Sequence, residues 1–390
     1  MWAYDQQARY LKSQEKFEES HRVYDQALEI SARHYGCIHN YALSLAVYAN
    51  IKSDQSLFKK AFNLNKKAFQ LQPNNADNIG NYALALSNLA RIKQDEMLFE
   101  SAFEQYKKSL NIQPDHLNNL GNYGIALSNL AKLKKEELLF ESAFEQYKKA
   151  LNIKSDHLNN LSNYGNALSR LAHLKNDENL FNKAFEQYEK ALKIIPDHAN
   201  NLSNYGTALT SLAKLKNDEN LFNKAFEQYE KVLKVQPDDV RNLSNYGIVL
   251  TSLAKLKNDE NLFNKAFEQY EKALKIIPDH ANNLSNYGTA LTSLAKLKND
   301  ENLFNKAFEQ YEKALEINPY ETYNFACYFS IKNQKEFTKE KLLIAEKHNT
   351  IPSITHLSSD SDLDNIRNEQ WFMELIERLK EKEEITKKAS

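Results

Sequence analysis

Apolar residues recur at spacings of three and four along most of the chain, in two successive groups per unit. In residues 199–237 the first group is Leu202, Tyr205, Leu209 and Leu212, and the second is Leu221, Phe222, Ala225, Phe226, Tyr229 and Leu233. Each group makes one face of a helix apolar. Asp218 between them can cap the second helix, and Pro237 ends it. With no strand pattern, the sequence predicts an all-α protein built from antiparallel helix pairs.

The pattern has a fixed period. Asn-Tyr-Gly or Asn-Tyr-Ala returns every 41 residues, with its asparagine at Asn40, Asn81, Asn122, Asn163, Asn204, Asn245 and Asn286. Small residues such as Gly206 and Ala225 lie where the paired helices must approach closely. A constant period indicates stacked units, each of which contacts its neighbours and shares a core with them.

The spacing of small and aromatic residues resembles that of the tetratricopeptide repeat. The first unit carries it in Ala8, Phe17, Ser20, Tyr24 and Ala27, and the last in Asn324, Phe325, Ala326, Phe337 and Ala345. The units between are longer, with seven additional residues at the hairpin. The resemblance implies a superhelical solenoid of antiparallel helix pairs. We expect a short repeat at 1–34, seven long repeats at 35–318 and a short repeat at 319–352.

Residues 353–390 differ in composition from the repeats. Their segment Asp360-Ser361-Asp362-Leu363-Asp364-Asn365-Ile366-Arg367 resembles the end-of-group motif of bacterial tetratricopeptide arrays. We predict a capping helix and tail, in which Trp371, Phe372, Leu375, Ile376 and Leu379 cover the last repeat. Calcium binding is the alternative for the aspartates, although the segment lacks the glycine and distal glutamate of an EF-hand.

Composition limits the function. The net charge of −1 comes without a basic block, so we expect no nucleic-acid partner. No stretch approaches a membrane span, and the start lacks a signal pattern, which predicts a cytoplasmic protein without a membrane partner. There is no nucleophile motif, phosphate loop or metal-ligand set, so we expect no catalytic residues, metal or cofactor. The abundance of Asn, Lys and Ile suggests a bacterial source.

Two further series recur with the period. His116, His157, His198 and His280 follow the turn between units, and Lys-Asn-Asp-Glu-Asn recurs at 175–179, 216–220, 257–261 and 298–302. Histidines one helix diameter apart cannot share a metal ion, so a surface or capping role is expected. The second motif predicts a capped hairpin, with an exposed docking edge as the alternative.

In the tetratricopeptide family the first helices line a concave groove. The resemblance places Asn200, Ser203, Thr207, Thr210 and Ser211 in this groove, which would be polar and nearly uncharged. The residue at one groove position differs from repeat to repeat. Two charged residues, which are rare in the groove, lie nearby. These predicted specificity residues are Ile125, Asn166, Thr207, Ile248 and Thr289, with Arg170 and Arg241.

The recurring asparagines resemble the asparagine ladder in the repeat domain of protein O-linked N-acetylglucosamine transferases, where such amides bind peptide backbone. A carboxamide offers an acceptor and two donors, which match the C=O and N–H of any peptide unit. The alternative is that these asparagines bond within the array. We call six of them the ladder asparagines: Asn81, Asn122, Asn163, Asn204, Asn245 and Asn286. Asn324 would extend the series.

The leading functional hypothesis is a non-catalytic scaffold or adaptor that binds an extended or helical peptide segment of a partner protein in its groove. Two alternatives remain open. The chain could be a structural protein that self-associates, or a regulatory subunit or effector that docks through the ends of its array.

Overall fold

The computed structural model describes residues 1–52 and 54–389. Ser53, inside the predicted long repeats, and Ser390, at the end of the predicted tail, lie outside the described residues. Over the described ranges the chain forms helices in adjacent pairs and contains no strand. The prediction of an all-α fold built from helix pairs is therefore confirmed.

The helices group into two compact units, Met1–Ile194 and Ile195–Ser390. The first unit contains α1 (Trp2–Ser13), α2 (Phe17–Ile30), α3 (Tyr35–Lys52), α4 (Gln55–Leu71), α5 (Ala76–Lys93), α6 (Glu96–Ile112), α7 (Leu117–Lys134), α8 (Glu137–Ile153), α9 (Leu158–Lys175) and α10 (Glu178–Ile194). The odd-numbered helix is the first of each pair. Within this unit, α5 packs beside α7 and α7 beside α9.

The second unit continues the same alternation. It contains α11 (Ala199–Lys216), α12 (Glu219–Val235), α13 (Val240–Lys257), α14 (Glu260–Ile276), α15 (Ala281–Lys298), α16 (Glu301–Ile317), α17 (Tyr323–Ile331), α18 (Lys335–Lys347), α19 (Ile354–Ser359), a 3₁₀ helix (Ser361–Ile366) and α20 (Gln370–Ala389). Here α11 packs beside α13, α13 beside α15, and α15 beside α17. No described helix is both long and apolar enough to cross a membrane.

The turn inside each pair has a repeated geometry. Asn176, Asn217, Asn258 and Asn299 adopt left-handed backbone conformations, with φ between 49° and 52°. Asparagine tolerates this conformation better than most residues, and it ends the first helix. The following aspartate caps the next helix: the Asp218 carboxylate accepts hydrogen bonds from the backbone N–H groups of Asn220 at 2.8 Å and Leu221 at 3.2 Å. The predicted capped hairpin is confirmed.

The histidine series caps the first helices. Nδ1 of His198 accepts a hydrogen bond from the backbone N–H of Asn201 at 3.3 Å. His116, His157 and His280 cap α7, α9 and α15 in the same way, and Asp239 takes the place of histidine at α13. The capping role predicted for the histidines is confirmed.

Five of the long pairs, from α7–α8 to α15–α16, are held together by a close approach between glycine and tyrosine. A Cβ atom on Gly206 of α11 would lie 2.8 Å from the ring of Tyr229 in α12. Tyr229 is 1% exposed, so its ring has little room to move away. The equivalent pairs are Gly124–Tyr147, Gly165–Tyr188, Gly247–Tyr270 and Gly288–Tyr311. Glycine is therefore needed because the helix surface and the ring occupy adjoining space.

The apolar face of the last pair is covered by the C-terminal segment. Buried Phe372, Leu375 and Leu379 of α20 share one cluster with Ala326 of α17 and Leu342 of α18. Trp371 and Ile376 pack against the same cluster. Leu363 and Ile366 of the 3₁₀ helix are fully buried there, so the acidic segment is anchored by its apolar residues.

Replacing Gly206 by valine should force the Tyr229 ring out of place and lower the free energy of unfolding by about 1–3 kcal/mol. The matched control is Asn200→Val, which introduces the same side chain at an exposed position of the same helix. Urea unfolding followed by circular dichroism measures both. Equal midpoints for the two variants would show that the close approach does not limit stability.

Candidate functional site

The ladder asparagines lie on the first helices of six successive pairs, three in each unit. All six side chains are half-buried. Within the described residues, none of the six side-chain amides makes a hydrogen bond to the protein. An amide with solvent access and no internal partner keeps its donors and acceptor available for a ligand.

A different asparagine series bonds within the array. Each member of this series lies three residues before a ladder asparagine and is at most 3% exposed. We call them the buried asparagines: Asn78, Asn119, Asn160, Asn201, Asn242 and Asn283. The Asn242 side-chain oxygen accepts a hydrogen bond from Ser203 Oγ of the preceding first helix at 2.6 Å, and Asn283 accepts one from Ser244 Oγ at 2.6 Å. These bonds join neighbouring repeats.

The buried asparagines explain why one position of the first helix, from α5 to α15, carries only small residues, glycine in earlier repeats and serine in later ones. The residue of the preceding repeat that faces Asn119 or Asn160 is glycine, and the one that faces Asn242 or Asn283 is serine. A Cβ atom on Gly80 would lie 2.1 Å from Asn119 Oδ1, and one on Gly121 would lie 2.2 Å from Asn160 Oδ1. The 41-residue recurrence of the buried asparagines was visible in the sequence, but it does not distinguish a buried amide from an exposed one.

Both ends of the predicted ladder differ from its middle. Asn324 Nδ2 donates to Ser285 Oγ at 2.9 Å; the two residues are 39 positions apart, as in the buried asparagine–serine pairs, although there the serine donates. Asn324 thus has the position of a buried asparagine, 41 residues after Asn283. Asn324 therefore does not extend the ladder as the sequence analysis expected. At the other end, Asn40 Nδ2 donates to Asp5 Oδ1 at 2.8 Å.

Three of the predicted specificity residues bind core tyrosines. Tyr188 OH donates to Asn166 Oδ1 at 2.8 Å, Thr207 Oγ1 and Tyr229 OH lie 2.8 Å apart, and Tyr311 OH donates to Thr289 Oγ1 at 3.2 Å. Burial raises the pKa of Tyr229 to about 12, so its hydroxyl stays protonated. These polar residues satisfy buried hydroxyls in addition to facing the surface.

Apolar residues at this position leave the tyrosine with other contacts. Ile125 and Ile248 are half-buried, and neither can accept a bond from Tyr147 or Tyr270. Tyr270 OH instead lies 3.4 Å from Thr251 Oγ1. The residue at this variable position, which we predicted to select the partner, therefore also affects the hydrogen bonding of the core tyrosine in its helix pair.

The two predicted arginines have different surroundings. Exposed Arg170 of α9 donates to Asn129 Oδ1 at 3.0 Å and Ser128 Oγ at 3.3 Å, both on α7. Surrounding protein atoms desolvate its guanidinium and lower its pKa from the usual value. Arg241 is exposed at the start of α13, where it lies 4.0 Å from the Asp239 carboxylate.

A cavity of about 310 Å³ lies on the first-helix surface of the second unit. We call it the C-terminal cavity. Its walls come from α11, α13, α15 and α17, with His356, Asp360 and Asp362 of the C-terminal segment along one side. Asn286, Ile248 and Thr289 line it, so the structure brings one ladder asparagine and two predicted specificity residues into one depression.

The C-terminal cavity is charged, which corrects the expectation of a nearly uncharged groove. The Asp362 carboxylate lies 3.2 Å from Lys296 Nζ and 3.7 Å from Lys255 Nζ. Lys214 also lines the cavity. Its side chain is exposed to solvent, yet desolvation by the surrounding walls and repulsion from Lys255 lower its pKa to about 8. These lysines are not among the residues that the tetratricopeptide resemblance placed in the groove.

Asp360 has internal hydrogen-bond partners. Its carboxylate accepts a hydrogen bond from Tyr323 OH at 2.6 Å and from the backbone N–H of Asp362 at 3.0 Å. Among the described residues, no group of three or more histidine, cysteine, aspartate or glutamate side chains could hold a metal ion. The structure thus uses Asp360 to position the C-terminal segment.

Comparisons with known proteins agree with the helix-pair architecture. Models of the tetratricopeptide repeat match residues 1–40 and 165–198. The chain is a tetratricopeptide repeat protein. A model described as plant-specific mitochondrial import receptor subunit TOM20 matches residues 217–341. None of the curated proteins compared with this tetratricopeptide repeat protein matches it.

Solved structures are similar to this tetratricopeptide repeat protein to different extents. Human IFIT1, solved as a dimer with m7Gppp-AAAA, is 16% identical with a TM-score of 0.51, and the match covers 99% of this chain and 87% of that chain. YrrB, described as a tetratricopeptide repeat protein with an unusual peptide-binding site, is 21% identical with a TM-score of 0.37, covering 55% and 92%. MamA from Desulfovibrio magneticus RS-1 is 18% identical with a TM-score of 0.36, covering 51% and 97%.

The two asparagine series should respond differently to the same substitution. Asn242→Ala leaves Ser203 without its buried partner and should lower the free energy of unfolding by about 1–3 kcal/mol. Asn245→Ala, three residues later on the same helix, should change it by no more than about 0.5 kcal/mol. Thermal and urea unfolding of the two variants test this. A larger loss at Asn245 would reverse the roles assigned to the two series.

Proposed function

We propose that this tetratricopeptide repeat protein is a non-catalytic scaffold that binds a peptide segment of a partner protein along its first-helix surfaces. The ladder asparagines bind the partner's backbone, and the residues around them select its side chains. The observation that carries this proposal is the state of the ladder amides, which are half-buried and have no hydrogen bond within the described residues.

The contrast between the asparagine series supports this assignment. The buried asparagines connect neighbouring repeats by hydrogen bonds to serines and to backbone carbonyls. The ladder asparagines add nothing to that network within the described residues. An extended peptide presents a C=O and an N–H at every residue, so a row of amides binds backbone with little dependence on sequence.

Protein partners are the usual ligands of tetratricopeptide repeats, and the described residues are fully consistent with a binding surface. Thr207 and Tyr229 form a hydrogen bond between the helices of one pair, and Thr210 bonds to the Gly206 carbonyl of its own helix. Specificity then comes from positions around the ladder, including Ile125, Arg170 and Ile248.

Simultaneous replacement of Asn122, Asn163, Asn204 and Asn245 by alanine tests the proposal. Peptides selected from a random-sequence library against the parent should bind this variant about tenfold more weakly or worse, because each lost amide removes about 0.5–1.5 kcal/mol of hydrogen bonding. Fluorescence anisotropy with labelled peptides measures the affinity, and circular dichroism checks that the fold and melting are unchanged.

The matched control replaces four other exposed asparagines, Asn179, Asn220, Asn261 and Asn302, which lie at the start of the second helices. This variant should bind the selected peptides as the parent does. Undiminished affinity in the ladder variant, at equal stability, would exclude the ladder as a peptide-binding site.

A further inference from the structure

Three lysines recur in register along the first-helix surface of the second unit. Lys214 belongs to α11, Lys255 to α13 and Lys296 to α15, and all three side chains are exposed. The protein's own carboxylate already occupies the space between two of them, since Asp362 lies 3.7 Å from Lys255 Nζ and 3.2 Å from Lys296 Nζ. Asp362 therefore shows which chemistry this lysine row accepts.

The neighbouring space lies between Lys214 and Lys255, and the helix that carries Lys214 has the same sequence as the helix that carries Lys296. Residues 199–216 of α11 are identical to residues 281–298 of α15, so Lys214 occupies in its helix the position that Lys296 occupies in the other. In the described part of the chain, Lys214 forms no salt bridge. One interval of the lysine row thus holds a carboxylate, and the equivalent interval one repeat away has none.

We propose that the surface between Lys214 and Lys255 binds an acidic side chain of the partner peptide, in the way that Lys255 and Lys296 bind Asp362. This inference rests on the proposed peptide binding and gives it a chemical preference at one place. Lys214, Lys255 and Asn286 line the same cavity, so a peptide held by the ladder would pass beside the lysines.

The electrostatics of the C-terminal cavity support an acidic ligand. The protein atoms around Lys214 desolvate its ammonium group, and the charge of Lys255 repels it. Together these effects lower the pKa of Lys214 to about 8. An anionic side chain at this point offsets both effects. The other titratable groups that line the cavity are His356, Asp360 and Asp362 from the C-terminal segment, with Tyr270, Tyr311, Tyr323 and Tyr328 from the helix pairs and Cys327 from α17. Both aspartates already have partners on the protein, as described above.

The sign of the pH dependence follows from Lys214. Its ammonium form binds a carboxylate, so affinity is complete below about pH 8 and falls as the pH rises through the pKa of the complex, which the bound anion raises. An ordinary surface lysine would lose its proton only near pH 10.4. Arginine remains charged throughout this range, so Lys214→Arg should retain binding at pH 9.

The test uses a labelled hexaglutamate peptide, acetylated and amidated so that only side chains carry charge, with hexaglutamine as the neutral comparison. Fluorescence anisotropy at low ionic strength is measured for the parent, Lys214→Gln and Lys234→Gln. Lys234 is an exposed residue of α12, and its replacement removes the same charge outside the cavity. We expect Lys214→Gln to weaken hexaglutamate binding about five- to tenfold and Lys234→Gln to change it less than twofold.

A second variant removes the internal carboxylate. Asp362→Asn frees Lys255 and Lys296, so hexaglutamate should bind it more tightly than the parent. Equal binding to Lys214→Gln and Lys234→Gln, or no preference for hexaglutamate over hexaglutamine, would overturn the proposed acidic subsite. Those results would leave the proposed peptide binding intact, because the ladder variant is tested with peptides selected without regard to charge.

Discussion

The close contact between a glycine of the first helix and a tyrosine ring of the second determines the geometry of five long helix pairs, from α7–α8 to α15–α16. The ring lies where a Cβ atom would otherwise project, so the two helices approach at a distance that only glycine allows at that point. The tyrosine hydroxyl then extends toward the first-helix surface, where it meets Asn166, Thr207 or Thr289. One packing contact therefore fixes both the core of the pair and the residues next to the ladder.

Asparagine occurs in two different environments at positions three residues apart on the same helix. A helix turns by 3.6 residues, so positions three apart lie on nearby but not identical faces. At the buried position, asparagine bonds to the preceding repeat and contributes to stacking. At the ladder position the amide has solvent access and no partner in the described residues. We therefore expect substitutions at the buried asparagines to lower the stability of the array more than substitutions at the ladder positions.

The C-terminal segment both covers the last helix pair and changes the chemistry beside it. Its apolar residues Leu363 and Ile366 are buried in the terminal cluster, and this anchoring presents Asp362 to lysines of α13 and α15. The lysines come from repeats that are copies of one another, whereas Asp362 occurs once. A repetitive surface thereby acquires one distinctive place, which is where we infer a preference for acidic side chains.

The helix pairs, their turns and their caps could be predicted from the amino-acid sequence, because these features depend on interactions within a few residues. The apolar spacing in 199–237, the cap at Asp218 and the histidine caps all have this local origin. The amino-acid sequence also indicated where glycine was required. Local pattern could not separate the ladder asparagines from the buried ones, because both recur with the same period. Burial depends on which face meets the neighbouring repeat.

Which recurring polar residues have partners was visible only in the packed helix pairs. The packing joins the variable position to the core tyrosines, and it brings Asp362 to lysines 66 and 107 residues earlier in the chain. Such contacts depend on how successive pairs stack and where the terminal segment lies. These are distances in space that a repeat period does not encode.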